Sequence, residues 1–262
     1  MSIWNNGGEY NSTIVPFFYT FVSLPLHNLV FGILVCYIKG IIIKKKELQE
    51  VSMESMEVKV IQNAGELETL PPFQVDKKLW GTKKSPTTYG YLGFVPDDGF
   101  YLKMVCEEAD PLRTYTQIND PVYRDSALEA FFLFESERER YVQPTYLNFE
   151  VNANGALLAG YGKERIYRAY FSPEEHREFA CSAVVEADRW SVSLRIPVSI
   201  LENIYGPLYL EAGSTFTCNF YKISESAQIE HYASWSVIDT DIPSFHLPEY
   251  FGSAVITDRQ RR

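Results

Sequence analysis

The sequence predicts an all-β fold, an antiparallel β-sandwich of jelly-roll type with only short helical turns. Three observations carry this. Aromatic residues make up 15% of the 262 residues, with 18 Tyr and 17 Phe, and such side chains suit the pleated surface of strands. Short apolar runs recur between clusters of turn residues, at the spacing of a sandwich or barrel. Helical periodicity is weak, and no internal repeat or Gly-rich phosphate loop is present, which argues against a nucleotide-binding fold.

The elements follow in order from Glu57. "YGYLGFV" (Tyr89 to Val95) and "FYLKMVCEE" (Phe100 to Glu108) flank "PDDG", a strong hairpin signal. "SALEAFFLF" (Ser126 to Phe134) is the next strand. "YLNFEVNANGALLAGYG" (Tyr146 to Gly162) is a second hairpin, turning at "NANG" (Asn152 to Gly155). "FACSAVVEAD", "RWSVSLRIPVSIL" (Arg189 to Leu201), "TFTCNFYKI" (Thr215 to Ile223), "HYASWSVI" and "GSAVIT" complete the set. Ser172 to Glu178 and Pro197 to Asn203 are the two helical turns. In "YLNFEVN", alternation sends Leu147, Phe149 and Val151 to the core. Tyr146, Asn148, Glu150 and Asn152 point the other way, as a solvent face or as the floor of a polar site. Met104, Trp190 and Trp235 read as core residues of strands.

Residues 1–56 differ from the rest. Ile14 to Ile43 is almost wholly apolar and long enough to cross a bilayer, although Pro16, Pro25, His27 and Asn28 interrupt it. No basic residue precedes the run, so a secretory signal is not expected. Lys39 and Lys44 to Lys46 lie on its C-terminal side, which would leave the following domain in the cytosol. "QEVSM" (Gln49 to Met53) also back-translates to a ribosome-binding AGGAGG just ahead of an ATG, so residues 1–56 are either an anchor or an over-extended reading frame. Both alternatives give a cytoplasmic domain over residues 57–262 in a bacterial cell, with membrane contact only if residues 14–43 are an anchor.

The formal charge of −10 and the pI near 5.0 argue against a nucleic-acid binder, which would show a basic stripe. Cys36, Cys106, Cys181 and Cys218 are far apart and form no metal-like pair, so reduced thiols are expected. His176, His231 and His246 lack metal-ligand spacing, and no nucleophile elbow appears. No cofactor is expected. Asp97 and Asp98 are candidates to ligate a bracing calcium, and a hairpin turn explains them equally well. Glu129 and Glu150, on neighbouring strands, form a conceivable acid/base pair of glycosidase type.

"INDPVYRDSALEAFF" (Ile118 to Phe132), "YLNFEVNANG" (Tyr146 to Gly155), "CNFYKI" (Cys218 to Ile223) and "SWSVIDTDIPSFHLPEYFG" (Ser234 to Gly252) occur in that order. Together they resemble the carbohydrate-binding module family 9-like proteins over about Glu57 to Thr257. The resemblance implies a sandwich of two antiparallel sheets and sugar binding without catalysis, in carbohydrate catabolism. It implies that two aromatic rings hold a terminal sugar, at the positions of Tyr123 and Phe245, where better-understood modules carry Trp. Glu129 matches a hydroxyl-binding acid, and Glu150 falls where the family can carry Arg. Asn219 and Tyr221 occupy the strand that supplies an amide contact. His246, Arg165, Lys222 and Trp235 are further candidates. The chemistry is coherent, because a pyranose offers apolar C–H faces to rings and a rim of hydroxyls to polar groups. Two other functions fit the same residues: a glycoside hydrolase or its accessory, and a protein-interaction domain that has lost the sugar site.

Overall fold

The computed structural model describes residues 53–135 and 144–258. The described residues all fall within one compact unit, Gln49–Arg262. The apolar segment 14–43 and the alternatives for residues before Met53 lie outside the described residues. Among the described residues, no helix is long and apolar enough to cross a membrane.

The strands are β1 (Ser55–Val60), β2 (Phe73–Gln74), β3 (Lys77–Lys78), β4 (Thr87–Val95), β5 (Gly99–Glu107), β6 (Ala127–Leu133) and β7 (Tyr146–Asn152). They continue as β8 (Leu157–Gly162), β9 (Ala169–Tyr170), β10 (Ser182–Val185), β11 (Trp190–Pro197), β12 (Thr215–Ser224), β13 (His231–Ser234) and β14 (Gly252–Thr257). The predicted helical turns are α1 (Pro173–Glu178) and α2 (Val198–Tyr205). Ser172 caps α1 with a reciprocal Ser–Glu175 box, which satisfies two otherwise orphaned donors.

The strands run β10-β11-β5-β4-β1-β14-β12-β6-β7-β8-β9 through one continuous sheet. Its two halves curl around a shared core, so the expected sandwich is built from one folded-over sheet. Phe100, Leu102 and Met104 from β5 join Leu128, Ala130 and Phe132 from β6 and Leu147 and Phe149 from β7. Trp190 and Trp235 belong to this core, as read from their strands.

The pairing is not antiparallel throughout. β1 runs parallel to both β14 and β4, and the other pairs are antiparallel. Parallel neighbours need long connections, and β1 has them: it enters the sheet first and pairs with the last strand.

Both predicted hairpins form. Val95 pairs with Gly99 across the "PDDG" turn, where Asp97 takes a positive φ of 61°. Asp98 accepts hydrogen bonds from Tyr101 and Arg195, so its carboxylate is spent on the fold. In the "NANG" turn, Asn152 Oδ1 accepts from the backbone N–H of Asn154 and of Ala156, both at 3.1 Å. Cys106, Cys181 and Cys218 are free thiols.

Candidate functional site

The face of β6, β7 and β12 that turns away from the main core carries the polar alternation predicted for β7. Backbone register fixes what meets there. Tyr221 on β12 lies opposite Glu129 on β6, and Glu129 lies opposite Glu150 on β7. One rung away, Asn219, Phe131 and Asn148 are similarly aligned. A second apolar cluster covers part of this face: Phe131, Tyr146 and Tyr221 pack with Ile238, Phe245 and Phe251 from the Pro-rich segment between β13 and β14. Those aromatics therefore form a second, smaller core over this face. Beside them a pocket of about 180 Å³ stays open, lined among others by Tyr123, Glu129, Glu150, Phe245 and His246. The segment is both plug and wall.

Local chemistry sets each wall. Tyr123 sits on a single helical turn, Val122–Arg124. Asp125 anchors that turn by accepting from the backbone N–H of Thr114 and Tyr115 and from Asn152 Nδ2. Tyr123 O accepts from Glu225 N at 2.9 Å. Phe245 is only 5% exposed. Its ring lies flat on Tyr221 and leans against Trp80, whose centroid is 5.4 Å away.

Glu129 and Glu150 are 3% and 4% exposed. Burial, together with each other's charge, holds the Glu129 carboxyl well above the usual carboxylate range. Burial also raises Glu150, to about 7, against the opposing pull of its Asn148 hydrogen bond and of Arg168 and Arg165. The Asn148 amide donates to Glu150 Oε1 at 3.0 Å. Asn148 is itself oriented by Arg168, whose Nε donates to Asn148 Oδ1 at 2.9 Å. The Arg168 guanidinium also lies over the Tyr146 ring, 4.3 Å from its centroid. His246 Nδ1 is 2.9 Å from the Tyr146 hydroxyl. Burial, reinforced by Arg168 and Arg165, lowers His246 to about 3, so its ring is neutral. With Tyr146 donating, Nε2 carries the ring hydrogen.

Not all of the sequence candidates meet in the pocket. Tyr123, Glu129, Glu150, Phe245, His246 and Arg165 line it. Tyr221 stands behind Phe245, fully buried, and its hydroxyl donates to Phe245 O at 3.3 Å. Asn219 is also fully buried. Its amide donates to Ser236 O at 3.0 Å and its Oδ1 accepts from Ser236 N at 2.9 Å. The expected amide contact is thus occupied in pinning the Pro-rich segment. Lys222 faces the main-core side of β12, where its Nζ donates to Ser126 Oγ at 2.6 Å and lies 3.8 Å from Glu108. Trp235 packs on Phe220 in the main core.

Sequence reasoning missed Trp80 and Arg168. Trp80 was detectable as a Trp outside any apolar run, next to a glycine. It takes a positive φ of 48°, an outlier for a bulky side chain. Its Nε1 donates to Thr240 O at 2.9 Å. Arg168 left no such mark in the sequence. Among the described residues no group of three or more His, Cys, Asp or Glu side chains could hold a metal ion.

Residues 68–256 match the family described as carbohydrate-binding family 9. Among solved structures, the chain is similar to a candidate carbohydrate-binding protein from Bacteroides uniformis ATCC 8492, at 23% identity and a TM-score of 0.65, covering 78% of this chain and 100% of that one. It is also similar to a carbohydrate binding module family 9 from Caldicellulosiruptor kristjanssonii. The complex of that module with glucose aligns at 13% identity and a TM-score of 0.55, over 80% of this chain and 98% of that one. Its complex with cellotriose aligns at 12% identity and a TM-score of 0.52, over 79% of this chain and 95% of that one. At these identities the structural likeness is one of fold. No curated protein matches the chain.

Proposed function

The chain belongs to carbohydrate-binding family 9, and on that footing we propose that its β-domain holds a sugar in the pocket beside Phe245 without transforming it. The observation that carries this reading is the convergence of aromatic walls and buried carboxyls in one pocket. Tyr123 and Phe245 offer apolar faces to the C–H surfaces of the ring. Glu129, Glu150 and the imidazole of His246 bond its hydroxyls. The glucose and cellotriose complexes of the Caldicellulosiruptor kristjanssonii module support a sugar of that general kind. Asn219 and Tyr221 act behind the site, as supports.

The paired carboxyls favour binding over hydrolysis for a geometric reason. A glycosidase sets its two carboxyls on either side of the scissile bond. Glu129 and Glu150 instead stand side by side, as direct cross-strand partners on one sheet face. We also place the domain in the cytoplasm, a reading supported by the basic residues Lys44 to Lys46 after the apolar segment.

The test is a thermal-shift series on the full chain with mono- and disaccharides, comparing wild type with Tyr123→Ala. Tyr123 is the better choice than Phe245, because truncating Phe245 would also open the second apolar cluster. A sugar-specific rise in melting temperature that is lost in the variant supports the reading. No rise with any sugar overturns it. Turnover of an aryl glycoside that disappears in Glu129→Gln would replace it with hydrolysis.

A further inference from the structure

The floor of the pocket carries an electrostatic imbalance that a neutral sugar does not need. Glu129 and Glu150 are opposed in register and nearly fully buried, and like charges directly opposite one another destabilise a sheet. No ion pair among the described residues reaches either carboxylate. Glu150 has the Asn148 amide. Among the described residues, no hydrogen bond reaches the carboxyl of Glu129, which is 97% buried and lines the pocket.

The nearby cations are committed elsewhere. Lys222 is turned to Ser126 and Glu108 on the opposite side of its strand. Arg168 spends Nε on Asn148 and its two terminal nitrogens on the carbonyls of Glu164 and Tyr146. Arg165 is exposed at the rim, where Glu225 also lines the pocket and offsets it. Of the remaining titratable groups facing the pair, Tyr146 and Tyr221 keep their protons and His246 stays neutral.

We propose that this pocket selects a sugar bearing a free amine, whose ammonium group sits over Glu129 and Glu150 within the aromatic wall formed by Trp80, Tyr123, Tyr232 and Phe245. The inference rests on the sugar-binding reading and narrows its ligand class. An ammonium is the group that both halves of the pocket favour. Carboxylates pair with it, and ring faces attract cations more strongly where water is excluded.

The proton balance follows. In the empty pocket at neutral pH Glu129 keeps its proton and Glu150 is partly protonated, because burial and their mutual repulsion disfavour the charged forms. When an ammonium enters, both ionise, and the protons they held leave to solvent.

The experiment is calorimetric titration of the full chain at neutral pH with glucosamine, glucose and N-acetylglucosamine. It is run in two buffers of different ionisation heat, so that proton release is read directly. Glucosamine is expected to bind roughly tenfold or more tightly than either neutral sugar, with net release of protons. In Glu150→Gln, and independently in Glu129→Gln, the preference should shrink toward equality and fewer protons should be released. Melting curves of both variants establish that they fold. Glucose binding as tightly as glucosamine in wild type overturns the inference and leaves the sugar-binding reading standing. Failure of all three sugars to bind overturns both.

Discussion

Tyr221 lies flat against Phe245, with ring centroids 4.0 Å apart and planes 8° from parallel. One face of Phe245 is therefore spent inside the protein, and its position over the pocket depends on a residue that does not line the pocket. Tyr221→Phe keeps the stack and loses only the hydroxyl's bond to Phe245 O. We expect it to cost about 1 kcal/mol and to leave sugar affinity within a factor of about three. Tyr221→Ala removes the backing ring. It should cost about 3–5 kcal/mol, as large-to-small core changes do, and weaken sugar binding more than Tyr221→Phe does. Urea unfolding and sugar titration of the two variants check both expectations.

Gly252 ends the Pro-rich segment at a point where nothing larger fits. A Cβ there would stand 2.5 Å from Trp235 Cζ3 and 2.6 Å from Glu54 O. The backbone oxygen has little freedom to withdraw, because β1 and β14 are paired just beyond it. Gly252→Ala should lose about 1–3 kcal/mol through overpacking. A lowered urea midpoint with unchanged slope would record it, and an unchanged midpoint would show that the Trp235 ring can yield.

Much of this architecture was legible in the chain. Strand β7 shows why: its strict alternation assigned Phe149 to the core and Glu150 to the opposite face, and a period of two allows no other arrangement. The turn residues of "PDDG" and "NANG" fixed both hairpins for the same local reason. What escaped was non-local. Trp80 reaches the pocket through the pairing of Ala233 with Lys78, a contact that no local pattern encodes. The bond of Asn219 to the backbone of Ser236 was not legible either, because an amide on that face looks free until the folded segment is placed beside it. The parallel pairing of β1 was hidden likewise, since an apolar run does not declare the direction of its neighbours.

The Glu129–Glu150 pair should give stability an unusual dependence on pH. Both carboxyls are raised in the folded state, so between the ordinary Glu value and their folded values the native protein holds more protons than the unfolded chain. The sign is then fixed: stability falls as pH rises through this window, by up to about 1.4 kcal/mol per pH unit for each group. The window opens near the ordinary Glu value of 4.5 and extends to about 7 for Glu150, and higher for Glu129. Glu150→Gln removes one titration and relieves the repulsion. It should be more stable than wild type on the alkaline side of neutrality and close to wild type in mild acid. Urea unfolding across that range checks this, and parallel stability curves for the two proteins would refute it.

Asn219 gives the sharpest separation between support and contact. Its amide satisfies both Ser236 N and Ser236 O and reaches Tyr250 O at 3.4 Å, so one side chain ties down both ends of the segment that carries Phe245. Asn219→Ala strands the buried backbone groups of Ser236, at about 1–3 kcal/mol for each unsatisfied group. The loss should appear first as local loosening, because the irregular segment has few other backbone bonds to hold it. We therefore expect faster amide hydrogen exchange over residues 236–250, a lowered melting temperature, and weaker sugar binding that follows from the misplaced Phe245. A residue whose only role was to contact the sugar would leave exchange and melting unchanged and reduce affinity alone. That outcome would return Asn219 to the binding surface.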